Sequence, residues 1–166
     1  IRIEPDRFHI FALTGGGFAF QVKTTRRLRD PNGWYHLLVS FDTTQGTAAN
    51  RVKMYVNGVQ ETDLDESSYP SQDYDGYINI ADTHYLGQGG NLGDKFDGSM
   101  SHVHFTDGTT YTPSSFGSTD TTTGEWRINT NPSGLSYGTN GFFILKDGNS
   151  TTDQSDQTNN WTVSGT

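Results

Sequence analysis

Trp34-Tyr35-His36-Leu37-Leu38-Val39-Ser40-Phe41-Asp42, followed after a small polar loop by Arg51-Val52-Lys53-Met54-Tyr55-Val56-Asn57-Gly58, decides the reading of this chain. The first run is apolar on both faces, which predicts a strand lying centrally between two layers. In the second, Val52, Met54 and Val56 alternate with Lys53 and Tyr55, the period of a half-buried strand. Asn57-Gly58 then supplies the residues of a tight hairpin turn. Just upstream, Asp30-Pro31-Asn32-Gly33 is a turn in which proline fixes φ and glycine takes the left-handed position.

Toward the N-terminus, residues 8–13 and 18–22 form a predicted hairpin around Thr14-Gly15-Gly16-Gly17, with Phe18, Phe20 and Val22 assigned to one face. Ile1-Arg2-Ile3 reads as a strand that starts without methionine, so the chain is expected to be an excerpt of a longer polypeptide. Toward the C-terminus, residues 61–76 read as a long polar surface excursion. Residues 77–80, 84–86, 100–106, 124–128 and 141–146 read as short strands, and 87–93 as a glycine loop. Thr112-Pro113-Ser114-Ser115-Phe116-Gly117 carries an N-cap residue, proline at the first helical position and a glycine stop, which predicts one helical turn over 112–117. From about residue 149 the chain is a polar tail in which Trp161 is the only large anchor.

Composition agrees with this pattern. Only 31% of the 166 residues are hydrophobic, and the mean hydropathy is −0.68. Yet 3 Trp, 8 Tyr and 10 Phe can bury the area that aliphatic side chains do not. Twenty glycines among many Thr, Ser, Asn and Asp suit short strands joined by turns. We therefore expect one all-β domain over residues 1–166. A net charge of −8 excludes a nucleic-acid or anionic-membrane surface, since both need a basic footprint. Without cysteine there is no disulfide or thiolate metal site. No apolar run reaches the length of a spanning helix, so a soluble chain with no membrane insertion is expected.

The strand pair at 34–58 resembles the central strands of laminin-G-like, concanavalin A-like domains, which implies an antiparallel two-sheet jelly-roll sandwich. Tyr85-Leu86-Gly87 followed by Phe96-Asp97-Gly98-Ser99-Met100-Ser101-His102-Val103-His104-Phe105 is similar to a later signature of the same group. Asp107-Gly108, Phe116-Gly117-Ser118-Thr119-Asp120, Thr123-Gly124-Glu125-Trp126, Tyr137-Gly138-Thr139-Asn140-Gly141-Phe142 and Asn159-Asn160-Trp161-Thr162-Val163 resemble a narrower version found in structural proteins of bacteriophages, notably marine and cyanobacterial ones. That resemblance implies a virion component such as a tail fibre, head fibre or capsid decoration. It also implies localisation on the particle surface, contact with other virion proteins, a homo-oligomer, and host cell-surface polysaccharide as ligand.

Glu61-Thr62-Asp63-Leu64-Asp65-Glu66 matches the E-x-D-x-x-E pattern of laminarinase-like glucanases that share the fold. On that reading Glu61 is nucleophile and Glu66 acid/base, with Asp63 between them. Against it, the acids are separated by Thr62 and Asp65, and Leu64 and Tyr69 are the only apolar walls available to raise a carboxyl pKa. A solvated acidic loop and a non-enzymatic protein are the expectation, with no catalytic residue. His102 and His104 at i and i+2 face one way on a strand, as in H-x-H metal sites, with His84 and Asp97 as further ligands only if folding brings them near. Ordinary polar strand positions account for the pair equally, and no metal site is assigned. Asp73-Tyr74-Asp75-Gly76 and Asp147-Gly148-Asn149 look like calcium loops but lack the closing glutamate of an EF-hand. Laminin-G relatives bind calcium through loop carboxylates, so calcium stays open against plain turn formation, and no other cofactor is expected.

Lys23, Arg26, Arg27 and Arg29 form the one basic cluster, read either as a contact to an acidic neighbouring subunit or as a charged edge strand. Tyr69, Tyr74 and Tyr77, in or beside the long loop, are the glycan-stacking candidates. Trp34 and Trp126 are assigned to the core. Asn149-Ser150-Thr151 and Asn160-Trp161-Thr162 fit the glycosylation pattern, which has meaning only in a eukaryotic secretory setting. A purely structural module with no ligand is the third reading beside lectin and glucanase.

Overall fold

The computed structural model describes residues 1–89 and 94–164; residues 90–93 of the expected glycine loop lie outside the described residues. Among the described residues eleven strands follow in chain order: β1 (Arg2–Ile3), β2 (Arg7–Thr14), β3 (Gly17–Arg27), β4 (Leu37–Phe41), β5 (Val52–Val56), β6 (Val59–Gln60), β7 (Leu64–Ser68), β8 (Val103–Phe105), β9 (Gly117–Thr119), β10 (Trp126–Ile128) and β11 (Phe142–Ile144). All pairings are antiparallel, and the only helical pieces among the described residues are two 3₁₀ turns, Ala48–Asn50 and Pro113–Ser115. The second is the turn expected over 112–117, with Thr112 as its N-cap and Pro113 at the first position. The chain falls into two compact units, one of Ile1–Tyr77 with Thr110–Ser133, the other of Ile78–Thr109 with Gly134–Thr166.

The first unit holds a two-sheet sandwich and the β9–β10 hairpin. One sheet runs β1-β2-β3-β7 and the other β4-β5-β6. Their inner faces meet in one buried cluster, Phe8, Ile10, Phe20 and Val22 from the first sheet against Val52, Met54 and Val56 from the second. The alternation in 52–56 is thus read out directly as core. Phe20 also meets Phe41 at 5.7 Å and Tyr74 edge-on at 5.6 Å between ring centroids.

Four sequence expectations change here. Phe18 does not share a face with Phe20 and Val22. Ala12 pairs with Phe20 but Leu13 pairs with Phe18, so Ala19 is an extra residue in β3. One inserted residue flips everything beyond it to the other face. Phe18 therefore stands 51% exposed, beside Phe11 at 5.6 Å. Trp34 is 68% exposed rather than core, because the strand begins only at Leu37 and period two places Tyr35, Leu37, Val39 and Phe41 inward. β4 is the end strand of its sheet rather than a central one. Finally, 61–76 is not a loop throughout, since Leu64–Ser68 forms β7 and pairs with β3.

Trp126 does pack inside the first unit. Its ring lies on Gly58, where an added Cβ would come within 2.2 Å of it, and stacks on His36 at 5.5 Å. Burial lowers the His36 pKa below its ordinary 6.5. The unfolded chain therefore takes up a proton at higher pH than the folded one, and His36 costs stability as pH falls below about 6.5. We expect His36→Phe, which keeps the stacked ring, to flatten the fall in unfolding free energy between pH 6.5 and 5 measured by urea titration.

In the second unit β8 pairs with β11, aligning Val103, His104 and Phe105 with Ile144, Phe143 and Phe142. Trp161 anchors the polar tail edge-on against Phe142 at 5.0 Å. Residues 77–80 and 84–86, expected as strands, form none; Asn79 sits at φ 67° and breaks the extended run.

Candidate functional site

The acidic segment at 61–66 is built by the first sheet. Lys23 pairs with Glu66 and Thr24 with Leu64, leaving Asp65 as an extra residue in a bulge. Opposed residues share a face, so Leu64 follows buried Thr24 inward while Glu66 follows Lys23 to the outer face. Glu61 instead lines a cavity of about 160 Å³ with Val22, Met54, Leu64 and Tyr69 on the core side. It is 8% exposed, contrary to the solvated loop expected. Its Oε1 lies 2.6 Å from Arg26 Nε. The N–H axis does not point at that oxygen, so the contact is ionic rather than a hydrogen bond.

Every other acid of the segment has its own partner. Asp63 Oδ1 accepts from Thr25 Oγ1 at 3.1 Å. Asp65 receives Lys23 Nζ at 3.1 Å and the Arg7 guanidinium. Hydrogen bonding from Lys23 leads the causes that hold the Asp65 carboxyl below its ordinary range. Glu66 Oε2 accepts from Gln21 Nε2 at 3.4 Å. A retaining glycosidase needs two carboxyls about 5–5.5 Å apart flanking one bond. Glu61 lines the inner cavity, whereas Glu66 lies opposite Lys23 on the outer face of the sheet.

The basic cluster is the other half of the same arrangement. β3 has strands on both sides, so the cluster is not on an edge. Arg26 meets Glu61, Lys23 meets Asp65, and Arg27 and Arg29 meet Asp6 at 2.9 and 2.6 Å. Hydrogen bonds from Arg29, then Arg27, hold Asp6 below its ordinary pKa.

The three tyrosines are not brought together on a surface. Tyr69 lines the inner cavity, and burial raises its pKa above 10.0. Tyr74 packs against the core through Phe20. Tyr77 alone stands out, at 65% exposure. Trp34, like Phe18, is an exposed ring that the sequence pattern places inside, and for Trp34 the period-two count from Leu37 is the signal that points outward.

A family model described as Laminin_G_3, of the concanavalin A-like lectin/glucanases superfamily, matches residues 1–110. The chain belongs to this family. No curated protein and no solved structure matches it. The match includes the whole of the first unit's two-sheet core and the acidic segment, and in this Laminin_G_3 chain that segment is an ion-paired part of the sheet.

Among the described residues no group of three or more His, Cys, Asp or Glu could hold a metal ion. His104 Nδ1 is 2.8 Å from the Tyr137 hydroxyl, and its ring stacks on Phe143 at 3.8 Å. His102 precedes β8 at φ 52°, with Nδ1 2.7 Å from Ser101 Oγ. The H-x-H pair is thus split between a strand residue and a positive-φ residue just before the strand, whose N–H bonds the Leu145 carbonyl at 3.0 Å. Asp73, at φ 55°, and Asp147, whose carbonyl accepts from Ser150 N–H, both lie in turns. No helix among the described residues is long and apolar enough to cross a membrane.

Proposed function

We propose that this Laminin_G_3 domain is a non-enzymatic saccharide-binding module carried in many copies on a bacteriophage particle, as part of a fibre, tail or capsid decoration. The observation that carries the non-enzymatic reading is the division of Glu61 and Glu66 between the two sides of one sheet, each with a cationic neighbour. The superfamily contains both lectins and glucanases, and the lectin branch fits a chain whose acids are spent on structure. Saccharide stacking would fall to exposed rings, of which Tyr77 and Trp34 are the foremost in the first unit. The motifs at 107–163 that resemble phage structural proteins support the virion placement. Weak sites repeated on one particle would bind host polysaccharide tightly through effective concentration alone.

The experiment is a pair. On a broad glycan array the oligomerised protein is expected to give reproducible hits, and a blank array would leave a purely structural module. With laminarin, lichenan and other β-glucans, the protein and its E61Q/E66Q variant are expected to release no reducing sugar. Release by the parent that is lost in the variant would establish the glucanase reading instead. Mass spectrometry of purified particles tests the virion placement, with peptides of this chain as the expected result.

A further inference from the structure

Away from the acidic segment, the β9–β10 hairpin of the first unit carries a second feature. Ser114, Gly117, Ser118, Arg127, Ile128 and Asn129 line an open depression of about 320 Å³, within the size range of ligand pockets, about 300–1,000 Å³. The register explains the convergence. Arg127 lies opposite Ser118, so both side chains leave the hairpin on one face. Asn129, two residues after Arg127, continues that face, and Ser114 is brought in by the preceding 3₁₀ turn. Gly117, opposite Ile128, faces the other side of the hairpin, where an added Cβ would come within 2.8 Å of the Trp126 ring.

The guanidinium is oriented in advance. Asp120 Oδ1 accepts the backbone N–H groups of Thr122 and Thr123 at 2.8 and 3.0 Å, which fixes its carboxylate in the turn between the strands. Its Oδ2 takes Arg127 Nε at 2.9 Å. Arginine has four further N–H donors on its two Nη atoms, in a planar fork that matches a carboxylate. With 62% of the side chain exposed, that fork is open to solvent. Around it stand two hydroxyls and one carboxamide.

We propose that this depression is a subsite for one carboxylated sugar residue, a uronate, with its carboxylate on Arg127 and its hydroxyls on Ser114, Ser118 and Asn129. A short oligosaccharide fits better than a long polyanion, because the chain's net charge of −8 repels the latter. The proposal rests on the reading of a saccharide-binding module and adds the ligand class and the site.

The test titrates tri-galacturonate, its methyl ester and a neutral trisaccharide into the isotopically labelled protein, reading amide shifts by NMR. Tri-galacturonate is expected to shift the amides of 114–118 and 127–129. Esterification, or Arg127→Gln, is expected to weaken binding about tenfold, the loss of one charge-assisted contact. Arg127→Lys, which keeps the charge without the fork, should fall between. Thermal melts of both variants establish that the hairpin remains folded. Tri-galacturonate leaving these amides unmoved at millimolar concentration, or binding R127Q as it binds the parent, overturns the subsite. Shifts that map elsewhere, or hits with neutral glycans only, overturn it while the lectin reading stands. A blank glycan array with no shifts removes both.

Discussion

Replacing Gly141 with alanine is expected to destabilise the second unit by more than about 3 kcal/mol, enough to leave β8 and β11 unpaired in much of the population. A Cβ at this position would lie 1.9 Å from the Tyr137 carbonyl oxygen and 2.7 Å from that of Phe105. Both obstacles are backbone, so no rotamer change relieves them. Typical overpacking costs about 1–3 kcal/mol because side chains can give way. Here the chain itself must move, and three attachments move with it. Phe142 is paired with Phe105 in the β8–β11 ladder. The Gly141 carbonyl accepts Asn159 Nδ2 at 2.8 Å. The Asp107 N–H bonds the same Tyr137 carbonyl, at 2.8 Å. Amide exchange of Val103–Phe105 in G141A is the direct measurement, with loss of protection as the expected result. Protection equal to the parent would mean that the Tyr137 turn can move aside at little cost.

The fold was legible where burial follows a local period. Val52, Met54 and Val56 alternate and are core, the Gly15-Gly16 turn closes β2 on β3 with Thr14 opposite Gly17, and Thr112-Pro113 starts a helical turn. Reading failed where one residue resets the period or where a partner is distant in sequence. The Ala19 bulge leaves no mark in the composition of 18–22, yet it moves Phe18 to the opposite face. Trp34 looked like core because of its size, but its parity relative to Leu37 puts it outside. The acids of 61–66 read as solvated because their partners come from β2 or β3, from 35 residues away in the chain (Glu61 to Arg26) to 58 (Asp65 to Arg7). The Arg127 depression depends on hairpin register and on an Asp120 turn, neither of which the string of residues shows. Candidate sites chosen by residue type were thus decided by pairing, which is a tertiary quantity.

Asp153 is the second position of large effect, in a tail whose polarity concealed it. The carboxylate is 8% exposed and takes four donors. Phe143 N–H and Ser155 N–H bond Oδ1 at 2.8 and 2.9 Å, while Ser155 Oγ and Asn159 N–H bond Oδ2 at 2.8 Å each. Burial alone would raise its pKa, but the hydrogen bonds from Phe143, Ser155 and Asn159 together outweigh it and hold the carboxyl below 3.8. The residue thereby ties β11 to the loop that presents Asn159 to the carbonyls of Thr139 and Gly141. Asp153→Asn keeps the shape but turns an NH₂ group toward two donors, and leaving buried donors without acceptors costs about 1–3 kcal/mol each. We expect D153N to lose about 3 kcal/mol at neutral pH, with Asp153→Ala losing at least as much. The sign with pH is fixed by the lowered pKa. The contribution is complete above the unfolded-state value, about 3.9, and is lost as pH falls through the folded-state value below it. Denaturant titrations of parent and D153N should therefore be furthest apart above pH 5 and converge below pH 3.8. Asp6, Asp65 and Asp120, also lowered, contribute to both proteins and cancel in the difference. A gap that stays constant down to low pH would show that the side chain matters by shape and not by charge.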